Sequence, residues 1–476
     1  MPAQKSSGAL PAFSSRLAFI FAAAGAAVGL GNVWKFPYTA GENGGAAFVA
    51  VYLLGLVILA APIFISEVLI GRRGKGSPPR AMGDQAVEHG RSPAWRIPGL
   101  AGVIGNLVVM SFYSVIAGWT LDYMISGATG LFSGLTQAAS GAHFAALQAD
   151  VPRLLVWQGA FILMTVLIVR LGVRGGIERA VSIMMPALGA LLVVLVGYAL
   201  IEGEAGAALS YLFAPDFAKL TPQVTLAAFG QALFTVSVGI GGVMMYGAYL
   251  PKGESILRAS GYVILADTAV ALLAGLAIFP VVFANGLDPA EGPGLVFVTL
   301  PLAFADMPLG GLLGTLFFFF LFIAALTSAI SLYEPTAAHL EEKGIDRHVG
   351  VWIAAGASWA MGLLSLLSFN LLADWHPLDF IAPLEGMTPF ELITGGIDKI
   401  VLPIGALLIA WFAGRVLSRD AVLTELGIKD GPLFQTWRFA VRWLTPALIL
   451  ILFAANLTTD INLGLRIFGI LLIVWG

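Results

Sequence analysis

One carboxylate, Asp267, stands inside the apolar run SGYVILADTAVALLAGLAIFP. If that run crosses a membrane, the charge costs at least about 2.5 kcal/mol and marks a functional site by default. The plainer alternative is a protonated Asp bonded to a neighbouring helix. Further along, Ala324, Thr327 and Ser328 fall at i, i+3 and i+4, which puts a carbonyl and two hydroxyls on one helix face. The commoner fate of such a Thr-Ser pair is back-bonding to the preceding turn. Two segments are also unusually rich in glycine. AGAAVGLGNVWKFPY holds Gly25, Gly29, Gly31 and Asn32, and FGQALFTVSVGIGGVMMYG holds Gly230, Gly239, Gly241 and Gly242. These residues suit ligation by hydroxyl, amide, carboxylate and unwound backbone oxygen. Thiol catalysis, thiolate metal sites and iron–sulfur clusters are excluded, because there is no cysteine. The five histidines (His89, His143, His339, His348 and His376) lie away from the middle of any apolar stretch, which argues against a membrane enzyme.

The elements that must hold these residues are membrane helices. Of 476 residues, 58% are apolar and 11% charged, against about 25% charged in soluble domains. The net charge of −3 offers no basic field for nucleic acid. A helix spans the bilayer core with roughly 20 apolar residues, and stretches of that kind predict eleven spans. They run over 16–40, 44–71, 98–126, 154–171, 181–201, 225–250, 259–284, 309–339, 349–368, 389–414 and 437–456. A twelfth stretch, 463–476, is short and contains Arg466, so it stays open. No small-residue cleavage site follows the first stretch before Trp34, Lys35 and Pro37, so it reads as a span and not as a signal peptide. Placing the N-terminus in the cytoplasm puts twenty of the 25 Lys and Arg on inside segments, as the positive-inside rule requires. The expected location is therefore the inner (plasma) membrane of the cell, crossed many times.

Glycine costs about 1 kcal/mol per helical position relative to alanine, so spans 1 and 6 are both weakened at their middles. Close packing of helices through small residues would explain either one alone. Together they matter more, because they open two successive groups of five spans, and an offset of five gives the groups opposite topology. Paired interrupted helices in inverted repeats point to a transport site at the bilayer midplane, the leucine-transporter fold being the type example.

RLAFIFAAAGAAVGLGNVWKFPYTAGENGGAAF resembles the first-span signature of the neurotransmitter:sodium symporter family. The similarity continues through GQALFTVSVGIGG in span 6, ALTSAISL in span 8 and the P-I-G run at 403–405 in span 10. It covers essentially the whole chain. The resemblance implies an all-α polytopic membrane protein of the leucine-transporter fold, with a 5+5 inverted repeat and 11–12 helices. The expected division is a tail at 1–15, repeats at 16–201 and 225–416, an extracellular loop at 202–224, and a peripheral segment at 417–476.

Two sodium ions are implied by the same matching. Sodium is a hard cation that wants several oxygen ligands. Site 1 would use the Ala27 carbonyl, Asn32, Thr235 and Asp267, where many relatives have asparagine in place of the aspartate. Site 2 would use the carbonyls of Gly25, Val28 and Ala324 with the hydroxyls of Thr327 and Ser328. Monoamine-transporting relatives carry an aspartate where this chain has Gly29, so here the substrate's own carboxylate must complete the first sodium's shell. The N–H groups of Leu30 and Gly31 open a half-helix and favour an anion, and Tyr113, in VVMSFYSVIAGW, would donate its hydroxyl to it. A lone membrane tyrosine is otherwise usually packing. Ala27, Gly29, Thr235, Val109, Phe234, Ser237, Ile240, Ser328 and Leu332 complete the expected pocket. The side-chain subsite carries no charge, so a neutral, apolar amino acid fits best.

The gates depart from the family pattern. The outer arginine is replaced by Lys35 and the matching acid position by Thr394, leaving Asp398 or Glu391 to meet Lys35. Phe234 and Tyr113 would form an aromatic lid. Inside, Phe13 takes the place of a tryptophan and Glu342 is the expected acidic member. Gly176 and Pro186, separated by nine residues at the start of span 5, would let that segment unwind; an ordinary proline kink is the alternative. Glu67 is expected to bind freed backbone. Chloride-dependent relatives hold an anion partly through a serine one turn after the span-7 asparagine. Here Ala271 occupies that place, so chloride independence is expected. The full reading is sodium-coupled symport of a neutral amino acid by alternating access, by a chain that is not an enzyme. Its rivals are a carrier of betaine, taurine or GABA-like compounds and a transport-inactive amino-acid sensor. Monomer and dimer both stay open.

Overall fold

The structure is a computed structural model describing residues 12–251, 253–292, 294–381 and 384–457. Among these residues every regular element is helical. Among the described residues, nine helices are long and apolar enough to cross a membrane. They are Ala46–Gly74, Pro93–Ala128, Val151–Val169, Val173–Glu202, Ile256–Ala284, Gly310–Glu342, Arg347–Leu367, Pro389–Val416 and Pro432–Ala455. They match spans 2 to 5 and 7 to 11 of the sequence, with ends shifted by a few residues. The stretch 463–476 lies outside the described residues, as do Lys252 and the tail up to residue 11.

The two remaining spans are broken where their glycines cluster. Span 1 consists of Arg16–Ala27 and Gly31–Glu42, bent by 51°. Span 6 consists of Pro222–Thr235 and Gly242–Tyr249, with 236–241 unwound between them. Within that gap Ser237, Gly239 and Gly241 all have positive φ (53°, 99° and 72°). For Ser237 that conformation is costly unless its surroundings hold it. Freed backbone there is met by side chains: Glu67 accepts from the N–H of Gly239 at 2.6 Å and of Met244 at 3.2 Å. Asn106 donates to the Ile240 carbonyl at 2.7 Å.

Small residues set how closely the helices approach. A Cβ on Gly405 would come within 1.8 Å of the Gly239 carbonyl oxygen, so the P-I-G run exists to admit the unwound part of span 6. Gly71 and Gly247 do the same where span 2 meets the second half of span 6. The connection at 202–224, expected as a loop, contains a helix, Ala205–Phe213, that packs on span 7. A second surface helix, Gln137–Ala149, joins spans 3 and 4. Lys and Arg gather at the end of the bundle that carries Phe13. There Arg16 approaches Glu254 at 3.9 Å, and Arg72 bonds the Glu254 carbonyl and pairs with Glu425.

Candidate functional site

The broken middles of spans 1 and 6 face each other, with spans 3, 7, 8 and 10 around them. Asp267 is fully buried, and its carboxylate accepts from Asn32 Nδ2 at 2.8 Å and from Thr235 Oγ1 at 3.0 Å. Asn32 also donates to Thr235 Oγ1 and to the Asp267 carbonyl, while its Oδ1 accepts the Gly29 N–H at 3.0 Å. The three side chains assigned to the first ion are thus one buried, mutually bonded group beside the break that holds Ala27. Tyr52, which the sequence reading missed, is fully buried beside Thr235 and within electrostatic reach of this carboxylate. Gln231, also missed, ties span 6 to the Gly31 carbonyl at 2.9 Å.

On the other side of the break, Ser328 Oγ donates to both the Gly25 carbonyl at 3.1 Å and the Val28 carbonyl at 2.9 Å. Thr327 behaves as the plainer alternative held, donating back to Ala324 O at 2.9 Å and Ile323 O at 3.2 Å. Its oxygen lone pairs are not used by those bonds. All five residues assigned to the second ion therefore meet in one oxygen-rich contact between spans 1 and 8. Span 5 touches it: a Cβ on Gly25 would lie 3.2 Å from both Met185 Sδ and Thr327 Cβ. Gly176 sits in a π-helical turn, Val173–Glu178, and Pro186 lies within the continuous helix that follows.

Between the two oxygen groups lies a cavity lined by Ala27, Gly29, Leu30, Gly31, Val109, Tyr113, Phe234, Thr235, Ser237, Ile240, Ser328 and Leu332. Every residue assigned to the pocket is in its wall. Ala26, Ser331, Ile397 and Leu402 are there as well. The last two come from span 10, where no polar signal in the sequence marks them. The lining has no charged side chain. Tyr113 accepts the Leu30 N–H at 3.3 Å, which leaves the phenol proton to donate. Gly29 is required by space, since a Cβ would fall 2.3 Å from Ser328 Oγ and 2.8 Å from the Tyr113 oxygen.

Of the two acids offered to Lys35, the structure selects Asp398, with which it forms an ion pair. Glu391 instead closes a capping box with Thr388 at the start of span 10, and Thr394 bonds back to Phe390 O. Phe234 and Tyr113 share the cavity without stacking, and the Phe234 ring lies under the Lys35 ammonium, 3.7 Å from it. At the opposite end Phe13 stacks on Tyr246 and meets Tyr249 edge-on. The acid beside this group is not Glu342, which bonds Ser77 and approaches Arg80. It is the buried Glu334, which takes the Tyr249 hydroxyl at 2.5 Å and pairs with Arg347. Glu334 and Arg347 lie thirteen positions apart in sequence, so no local spacing reveals the pair.

Comparison with known proteins follows the same lines. A family model described as the sodium:neurotransmitter symporter family matches residues 11–135 and 149–467. The chain belongs to that family. An uncharacterized sodium-dependent transporter of Bacillus subtilis, YhdH, is 39% identical over 93% of this chain and 96% of its own. A counterpart in Haemophilus influenzae is 31% identical over 94% and 98%. The crystal structure of MhsT in complex with L-phenylalanine aligns with a TM-score of 0.86 at 39% identity, covering 94% of this chain and 99% of that one. The chain is thus a multi-pass, sodium-dependent transporter of the leucine-transporter fold, and the membrane-enzyme alternative falls away.

Proposed function

We propose that this transporter carries a neutral, apolar α-amino acid into the cell together with two sodium ions, by alternating access and without chloride. The observation that carries the reading is the uncharged cavity set between two buried oxygen groups on broken helices. A substrate carboxylate placed at the break meets the Tyr113 phenol and the start of the half-helix at Gly31, where an anion is favoured. It also reaches the Asn32–Thr235–Asp267 group, so that amino acid and first sodium neutralise each other away from water. The side chain then faces Val109, Ile240, Ile397, Leu332 and Leu402, where an unpaired charge would carry a severe desolvation cost. The phenylalanine bound by MhsT is a ligand of this kind.

Asp267 supplies, within the sodium site itself, the negative charge for which chloride-dependent relatives use an anion. Ala271, buried one turn away, has no hydroxyl to hold that anion. Alternating access then works on two groups of five spans, 16–201 and 225–416, with the basic end of the bundle in the cytoplasm. Thermal unfolding of the purified protein against a panel of amino acids, in sodium and in potassium, tests the substrate class. Stabilisation is expected from neutral amino acids in sodium alone. Equal stabilisation by an amino acid and its decarboxylated amine would overturn the carboxylate argument. Uptake into sodium-loaded-outside vesicles separates a carrier from a sensor, because a sensor binds without accumulating.

A further inference from the structure

At the basic end of the bundle, spans 10 and 11 each contain a π-helical turn, Phe412–Val416 and Ala440–Leu444, and the two turns pack together. Such wide turns are frequent at functional sites. Arg415 sits on the first and Arg442 on the second. Gly414 makes the approach possible, because a Cβ there would stand 2.9 Å from Arg442 Cγ. The Arg415 guanidinium lies over the Trp443 ring at 4.7 Å and the Trp411 ring at 5.0 Å, and donates to the Arg442 carbonyl at 3.1 Å. Arg442 Nε is buried without a hydrogen-bond partner. Arg442 is within electrostatic reach of Arg415 and Arg438, and Arg438 within reach of Arg419. Arg419 pairs with Asp430, whereas Arg438 and Arg442 form no ion pair among the described residues.

A row of guanidiniums that repel one another, one with a buried unsatisfied N–H, costs free energy that an anion would recover. The surroundings say which anion. Trp443 is 49% exposed and Phe439 59%, so the arginines open onto an apolar outer surface and not into a water-filled cleft. Tryptophan favours the headgroup level of a bilayer, and basic pockets between transmembrane helices hold anionic headgroups. The guanidinium fork fits two phosphate oxygens at once. We propose that Arg415, Arg438 and Arg442, framed by Trp411 and Trp443, bind the phosphodiester headgroup of an anionic phospholipid at the basic end of spans 10 and 11.

The test is thermal unfolding of the full chain in neutral detergent, titrated with dioctanoyl phosphatidylglycerol, dioctanoyl phosphatidylcholine or glycerol 3-phosphate. Saturable stabilisation by phosphatidylglycerol alone is expected. Arg442→Gln should weaken its apparent affinity about tenfold, as expected for a charge-assisted bond. Arg91→Gln, which removes an exposed charge elsewhere at the same end, should leave it unchanged. Equal stabilisation by phosphatidylcholine, or the same loss in Arg91→Gln, overturns the site, and equal stabilisation by glycerol 3-phosphate overturns the lipid as its source. Should Arg442→Gln not fold, the half-buried Arg438→Gln takes its place. Native mass spectrometry of the wild type from an equimolar lipid mixture then gives a second reading, in which no preference for phosphatidylglycerol overturns the site.

Discussion

Asn32 donates from Nδ2 to the Asp267 carboxylate at 2.8 Å, so the break in span 1 is fastened to the single acid within span 7. The same carboxylate takes the Thr235 hydroxyl from span 6, and three spans therefore converge on one buried charge.

If sodium binds that carboxylate as proposed, protons compete with it. A proton removes the charge sodium needs, so apparent sodium affinity should weaken as pH falls and recover as pH rises. Asp267→Asn should abolish this pH dependence and reduce transport, and Asp267→Asn with Ala271→Ser should regain uptake only when chloride is present. Replacing chloride with gluconate checks the premise. A collapse of wild-type uptake in gluconate would show that the carboxylate does not stand in for the anion.

Ser328 is the hydroxyl that reaches across to the Gly25 and Val28 carbonyls. Ser328→Ala should raise the sodium concentration for half-maximal uptake by about tenfold, the scale of one lost bond to a charged group. Thr327→Ala should do the same even though Thr327 is back-bonded here, because its side chain packs against Gly25 and its oxygen keeps lone pairs that those bonds do not use. Unchanged sodium activation in both variants would remove this contact from ion binding.

Gly29 has no room for a side chain. Gly29→Ala should leave the protein folded, since the atoms that must yield belong to the Ser328 and Tyr113 side chains and none to the backbone. It should lower amino-acid affinity tenfold or more by displacing the phenol that meets the carboxylate. Isothermal titration with the best ligand of the thermal screen measures this, and wild-type affinity would contradict the crowded geometry.

Lys35 links span 1 to span 10 through Asp398 and covers Phe234. A partly buried pair still open to solvent, its side chains 18% and 33% exposed, is worth about 1 kcal/mol, or about fivefold in the population of closed molecules. With no native cysteine, Leu402→Cys gives a single thiol in the cavity wall. Adding Asp398→Asn should speed its labelling from outside by about fivefold, and Glu391→Gln should not. Equal acceleration by both would mean that the helix cap, not the ion pair, holds the gate.

Composition and periodicity alone determined that this is a membrane helical protein with spans near the observed positions, because burial in lipid demands unbroken apolar length. They also determined where spans 1 and 6 break, since glycine weakens a helix wherever it stands, and that Ala324, Thr327 and Ser328 share one face of span 8, while the family resemblance supplied the match of Asn32 and Thr235 to an ion site. Those properties are local, a few residues long, and legible along the chain. Only the tertiary structure decided that Asp398 and not Glu391 meets Lys35, that Glu334 with Arg347 replaces Glu342 beside Phe13, and that Ile397 and Leu402 enter the cavity. Each of these depends on the rotation of one helix against another. Span 10 shows why: its π-helical turn at Ile397–Val401 shifts the phase of the helix just where Asp398 and Ile397 point inward. No residue there announces that turn. It exists because the neighbouring spans accept it, which is a property of packing and not of sequence order.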